Sequence, residues 1–261
     1  MTQDIPEIFD TGTVAANRQR AGKAFSSHDF LYQEVASRLR DRKADVKRNF
    51  ETAATVSAWD GNGGVPETVG LPPGSVDLIE SNFALHWVND LPGLLMQIRL
   101  ALKPDGLFLA AFPGGDTLTE LRQSLIEAES LVTGGIAPRV SPFIDLADAA
   151  ALLQRAGFAL PVADLDRITV TYEDAFGLMR ELRGMGEANA LCGRPRHFSR
   201  REIFFEAARI YAGKFADADG RLRATFDIVF MTGWAPHASQ PQPLKPGSGE
   251  TSLADILKTK D

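Results

Sequence analysis

The 261-residue chain has one cysteine, Cys192, so no internal disulfide can form and a reducing compartment, the cytoplasm, is expected. No apolar run approaches the roughly 20 residues that a membrane-spanning helix needs. The first ten residues carry Asp4, Glu7 and Asp10 with no basic flank and no apolar stretch, unlike a signal peptide or an Arg-rich presequence. Positive charge is also in deficit: the net charge is −6, which leaves no whole-surface attraction to nucleic acid. Ligand sets with metal spacing are missing, as are a GxSxG elbow, a Lys-containing phosphate loop and internal repeats. Cys192 has no His in an arrangement that marks a nucleophile.

What is present reads as alternating helices and strands. Residues 1–49 form an N-terminal helical segment, with Phe25, Leu31, Val35 and Leu39 at helical spacing. Around them stand Arg18, Arg20, Arg38, Arg40, Arg42, Lys43, Lys47 and Arg48, read as a solvated face, with docking of an acidic partner as the alternative. Ala53 to Trp59 makes a short strand, followed by loop chemistry in Asp60-Gly61-Asn62-Gly63-Gly64 and Gly70 to Gly74. Val76 to Glu80 is a buried strand that stops at Ser81-Asn82. A helix follows from Asp90, its N-cap, with Pro92 in the first turn and Leu91, Leu94, Leu95, Ile98 and Leu102 on one side. Lys103-Pro104-Asp105-Gly106 is a turn, and Leu107 to Phe112 is apolar enough for a strand covered on both faces.

Thr117 and Glu120 have capping-box spacing, which makes Asp116 and Thr117 helix-capping residues. Thr133 to Pro142 is a loop, Asp145 to Ala156 a helix closed by Gly157, and Ile168 to Tyr172 a strand. A helix over 174–183 precedes Gly184-Met185-Gly186. Ser199 and Glu202 open a long helix with Phe204, Phe205, Ala208, Tyr211 and Phe215 inward, and Thr225 to Met231 is the last strand. Arg194, Arg196, His197, Arg200 and Arg201 read as a solvated basic loop, with an acidic segment or a phosphate as the alternative. The domain reading is residues 1–49, a main domain over 50–234, and a flexible tail over 235–261 with four prolines by Pro246. Such alternation specifies an α/β fold with a doubly wound, mostly parallel sheet.

The run Val76 to Asp90, with Leu85-His86-Trp87-Val88-Asn89-Asp90 at its end, and Leu102-Lys103-Pro104-Asp105-Gly106-Leu107 resemble class I S-adenosylmethionine (SAM)-dependent methyltransferases. They match the fourth strand, fourth helix and fifth strand of that Rossmann-like fold, the biotin-pathway malonyl-carrier methyltransferase group in particular. Gly114 to Leu118, Pro138 to Phe143, Leu182 to Gly186 and Thr232 to Pro236 are similar to the complex I assembly factor 5 family and its bacterial relatives. The resemblance covers most of residues 15–257. It implies the methyltransferase fold, SAM as cofactor, and methyl transfer to an acceptor such as a protein side chain on a respiratory complex subunit. The family's mitochondrial member is associated instead with hydroxylating an arginine during complex I assembly.

By the resemblance, Asp60, Gly61 and Gly63 are remnants of the glycine-rich cofactor loop, or else a plain turn. Asn82, Phe83 and Ala84 fall beside the methionine part of SAM, with capping of a turn as the alternative for Asn82. His86 is a weak catalytic candidate, set against simple packing with Trp87 at a helix start. The segment between Gly64 and Leu71 is too short for the missing helices and strands, and the chain lacks roughly 40 residues, judged from the size of a βαβ unit. No ribose-binding carboxylate is left, since Glu67 sits in a loop. The loss motivates a second reading, a non-catalytic assembly or scaffold protein that no longer binds SAM. It also predicts an exposed sheet edge that a homodimer would cover.

Overall fold

The computed structural model describes residues 7–22, 24–57 and 64–241. Five strands, β1 (Ala53–Ser57), β2 (Val76–Asn82), β3 (Leu102–Gly114), β4 (Ala159–Tyr172) and β5 (Leu222–Trp234), form one sheet in the order β1-β2-β3-β5-β4. The pairs β1–β2 and β2–β3 are parallel, and β5 runs antiparallel to both β3 and β4. Four strands therefore share one direction, as expected of a doubly wound α/β sheet.

Side chains alternate across β3 and β5, which explains why these segments are apolar throughout. Leu107, Leu109, Ala111, Phe226, Ile228 and Phe230 face one layer. That layer holds α2 (Phe30–Asp45), α4 (Thr119–Thr133), α6 (Ala175–Gly184) and α7 (Arg201–Phe215), through residues such as Val35, Leu121, Leu178 and Ile210. Phe108, Ala110, Phe112, Val229 and Met231 face the other layer, where Leu94, Leu95 and Ile98 of α3 (Leu91–Ala101) and Leu152 and Leu153 of α5 (Leu146–Arg155) close the core. Asp90 caps its helix as the sequence predicts, accepting from the Gly93 amide, and Asp145 caps α5, accepting from the Asp148 amide.

The structure corrects several expectations. Four of the cations read as a solvated face are paired instead: in α2, Arg42 with Asp164 and Asp166, Arg38 with Glu34 and Asp166, and Lys43 with Glu80, and beyond it Arg48 with Asp105, while Arg40 and Lys47 are exposed. The Arg42 guanidinium also lies 3.5 Å over the Phe230 ring. The helix is thus tied to the sheet, through pairs that are individually weak because they are half-exposed. Arg18, of α1 (Thr11–Ala21), is fully buried. Thr117 caps nothing: its hydroxyl donates to the Gly114 and Asp227 carbonyls and accepts from the Asp227 amide, while Asp116 pairs with Arg167. Ser199 likewise does not cap α7 but accepts from Arg139. Phe205 points to solvent, and β4 begins nine residues before Ile168 because its first half pairs with the end of β5.

β1 is the outermost strand, and the described part of its return to β2, residues 64–75, contains neither helix nor strand. A parallel crossover normally needs a dozen or more residues, usually helical. The short return is the structural counterpart of the segment judged missing from the sequence. Ala53 and Thr55 are exposed at this edge, and Met96 and Leu100 are about half exposed on α3. Residues 235–241 pack back on the β3 turn, Gln240 donating to the Asp105 carboxylate and the Ala235 carbonyl; the rest of the predicted tail, residues 242–261, lies outside the described residues.

Two glycines give opposite tests of this packing. A Cβ on Gly114 would press on Val229 and lie 2.9 Å from the Ile144 carbonyl oxygen, whereas Gly213 in α7 has open space around it. Gly114→Ala is expected to cost about 1–3 kcal/mol in urea unfolding. Gly213→Ala is expected to add about 0.5–1 kcal/mol.

Candidate binding site

The parallel strands β2 and β3 end at Asn82 and Gly114, and the crevice beyond carboxyl ends is where open α/β sheets hold ligands. After Asn82 the chain turns sharply through Phe83, whose φ of +52° is left-handed and held by full burial of its ring. The next residues, Leu85–Trp87, form a single 3-10 turn that brings His86 and Trp87 onto one partner, Glu187. His86 Nε2 and Trp87 Nε1 both donate to Glu187 Oε2 at 2.8 Å. The Tyr32 hydroxyl donates to Oε1 at 2.5 Å, and the Tyr32 carbonyl accepts from Asn82 Nδ2 at 3.0 Å. The Tyr32 ring lies 4.3 Å from that of Phe83, which completes a cluster joining α2, β2 and the segment after α6.

Glu187 reaches this position because α6 ends in a glycine turn. Gly186 has a φ of +79°, and a Cβ there would lie 3.2 Å from the Arg18 Cα. Any other residue would hold α1 away and break the left-handed turn. Burial alone pushes the Glu187 carboxyl up, but the His86 charge and hydrogen bond, Arg18 and the Tyr32 hydroxyl together outweigh it and hold its pKa at about 2. The largely buried carboxylate is ionised and accepts from three side chains.

Residues 8–18 are strapped over the same region. The Asp10 amide donates to the Ala190 carbonyl, Asn17 Nδ2 to the Ala188 carbonyl, and Asn89 accepts from the Ile8 and Phe9 amides. Asp10 caps α1, and its hydrogen bonds from the Thr13 amide and from Arg194 hold its carboxyl down at about 2. Between α1, α4, α6, α7 and the ends of β2 and β3 lies a cavity of about 800 Å³. Its walls are largely apolar, with Leu31, Phe83, Leu121, Met179, Met185 and Phe226 among them.

The residues singled out in the sequence fall around this cavity unevenly. Phe83 lines it, Ala84 is buried behind it, and Asn82 Oδ1 is buried with no hydrogen-bond partner among the described residues. His86 does not line the cavity; it is buried against Glu187, and its Nδ1 has no partner among the described residues. Asp60, Gly61 and Gly63 lie outside the described residues. In the basic loop, Arg194 pairs with Asp10 and Thr13 and faces the cavity, while Arg196, Arg200 and Arg201 are exposed. Sequence reasoning missed Glu187 and Tyr32, which meet 155 positions apart. The one local signal was a carboxylate directly after Gly184-Met185-Gly186, a turn that needs glycine.

SAM fits this arrangement at one end only. Where the resemblance would put the methionine side, Asn82 does not line the cavity, and its buried oxygen, without a partner among the described residues, would accept from an ammonium group. On the ribose side β1 is the last strand, and among the described residues no further strand brings a carboxylate and no helix points its N-terminus at the loop. The described residues therefore do not make a complete SAM site. Among them no group of three His, Cys, Asp or Glu would hold a metal ion, and no helix is long and apolar enough to cross a membrane.

Comparison with known proteins places the chain in a family. Residues 9–161 match the family described as Methyltransferase domain. The zebrafish (Danio rerio) mitochondrial arginine-hydroxylase NDUFAF5 is 38% identical over 291 aligned positions, covering 96% of this chain and 90% of that protein. Since 96% of 261 residues is about 250, about 40 aligned positions have no residue here, the size of the segment judged missing. The malonyl-[acyl-carrier protein] O-methyltransferase of Xylella fastidiosa (strain M23) is 37% identical over 178 positions, 68% of this chain and 58% of that protein. A solved putative methyltransferase from Bacillus halodurans C-125 superposes over 77% of this chain and 98% of its own with a TM-score of 0.48 at 13% identity.

Glu187 provides the test of the cluster. Its folded pKa lies below the unfolded value, so the stability it contributes is present above about pH 4.5 and is lost as pH falls toward about 2. Glu187→Gln is expected to cost about 3 kcal/mol at neutral pH, because Arg18 loses a buried counter-charge and Tyr32, His86 and Trp87 lose a charged acceptor. It should also flatten the loss of stability measured between pH 4.5 and 2.

Proposed function

Because this chain belongs to the methyltransferase-domain family, within the group of the NDUFAF5 arginine-hydroxylases, we propose that it binds an acceptor in the cavity beyond β2 and β3 and acts as an assembly or scaffold protein. The observation that carries this reading is the asymmetry of the site. The acceptor side is closed by four helices and organised by a buried carboxylate, while the sheet stops at β1, where a ribose site would need another strand. The acceptor is a side chain of a partner protein, and the family resemblance puts forward a subunit of a respiratory complex. The chain works in a reducing, cytoplasmic setting, consistent with its single cysteine.

In this reading the chain's own groups bind and exclude rather than react. Tyr32, His86 and Trp87 donate to Glu187, so the wall behind the cavity holds a fixed charge. Arg18, buried beside it, supplies the balancing charge. The apolar walls keep water from the bound group, which strengthens any polar contact made there.

Methyl transfer is the second reading, favoured by the family match and by the unpartnered Asn82 Oδ1 at the methionine end. Bound SAM would supply an activated methyl group, and the cavity would position the acceptor against it. Calorimetric titration with SAM and S-adenosylhomocysteine separates the two. We expect no heat and no thermal shift at millimolar ligand; micromolar binding would replace the scaffold reading with the enzymatic one.

A further inference from the structure

The surface beside the cavity bears on how a partner is held, and the step rests on the proposal that the cavity takes a side chain of a partner protein. Arg139 ties three segments together there. Its guanidinium is bidentate to Glu129 of α4, at 2.7 and 2.8 Å, and donates to the Ser199 hydroxyl at 2.9 Å. It also lies 5.5 Å from the centre of the Phe204 ring in α7. Arg139, Val140, Arg194, Pro195 and Phe204 carry these segments into the lining of the cavity.

Outside the cavity, the same segments depart from an ordinary surface in two ways. Among the described residues, the large apolar side chains with the greatest exposure, 61% or more, are Leu131, Ile136, Phe198 and Phe205. Each lies within three residues of Arg139 or of a group that Arg139 touches. Single exposed apolar residues are common, whereas their concentration on one face marks an interaction surface. Positive charge gathers on that face as well. Arg139 and Arg194 are paired, with Glu129 and Asp10, but Arg196, Arg200 and Arg201 are exposed and have no ion pair among the described residues. This happens in a chain whose net charge is −6.

We propose that this face docks a segment of the partner protein in which acidic residues are interleaved with apolar ones. Arg196, Arg200 and Arg201 meet its carboxylates, and Phe198, Phe205, Leu131 and Ile136 cover its apolar side chains. The charges choose the partner and speed the encounter, and the apolar contacts hold it. Two observations favour a protein segment over an anionic membrane. A polypeptide that puts a side chain into the cavity continues over the surrounding surface, and this face adjoins the cavity through Arg139, Arg194 and Phe204. Glu202 is exposed in the first turn of α7, between Arg201 and Phe205, where a bilayer would press it against anionic headgroups. A peptide can set a neutral or basic residue opposite it.

The test titrates the full chain with short fluorescent peptides that alternate leucine with glutamate, with glutamine or with lysine, and follows binding by anisotropy. The glutamate peptide should bind about ten times tighter than the other two, and the margin should shrink as salt is raised. Replacing Arg196→Gln, Arg200→Gln and Arg201→Gln together should remove the preference. Phe198→Ser should weaken the glutamate peptide while keeping its lead. Arg40→Gln with Lys47→Gln, at exposed positions elsewhere on the chain, should change neither result. Equal binding of the three peptides, or a preference that survives in the triple variant, overturns the inference. So does binding to phosphatidylglycerol vesicles that the triple variant abolishes while no peptide binds, which would assign the face to a membrane. In each of these cases the cavity reading stands, because the SAM titration tests it and these peptides do not.

Discussion

A single buried carboxylate, that of Glu187, fixes how the upper half of this molecule is assembled. Left alone in the core it would cost several kcal/mol or take up a proton. It stays ionised because two elements far apart in sequence send three donors to it: Tyr32 from α2, and His86 and Trp87 from the turn after β2. Each donor is in turn held by packing, Tyr32 against Phe83 and Trp87 edge-on to Phe9. The position of α1, the burial of Arg18 and the shape of the cavity all depend on this one anion being satisfied.

The cluster also explains how the site survives the loss of neighbouring sheet. The cavity is bounded by helices that pack on β3 and β5, the centre of the sheet, and by a hydrogen-bonded N-terminal strap. None of the described walls relies on a strand beyond β1. The cavity is therefore built independently of the sheet edge at β1.

Most of the fold was legible in the sequence because local patterning and tertiary burial agree there. Leu107 to Phe112 is apolar on both faces and is covered on both faces; Leu94, Leu95 and Ile98 keep helical spacing and are buried. The misreadings share a cause. Arg42, Arg38 and Thr117 carry polar groups whose local pattern is that of a solvated face or a cap, and their partners Asp164, Asp166 and Asp227 lie more than a hundred residues away. Of the residues the sequence singled out as candidates, Asn82 ends β2 and Phe83, directly after it, lines the cavity. Glu187 was hidden because a lone Glu after a glycine turn carries no periodicity, and its role appears only when α1 and α2 close over it.

The central claim is that Glu187 holds the helices around the cavity as one unit, independent of cofactor. Hydrogen exchange of the Glu187→Gln protein, compared amide by amide with the parent, tests it most directly. The account predicts that residues 11–21, the first turns of α2 and residues 185–191 lose protection together, while the amides of β3 and β5 keep theirs. Loss confined to residues next to position 187, or no loss at all, would show that packing alone holds these helices and would contradict the account.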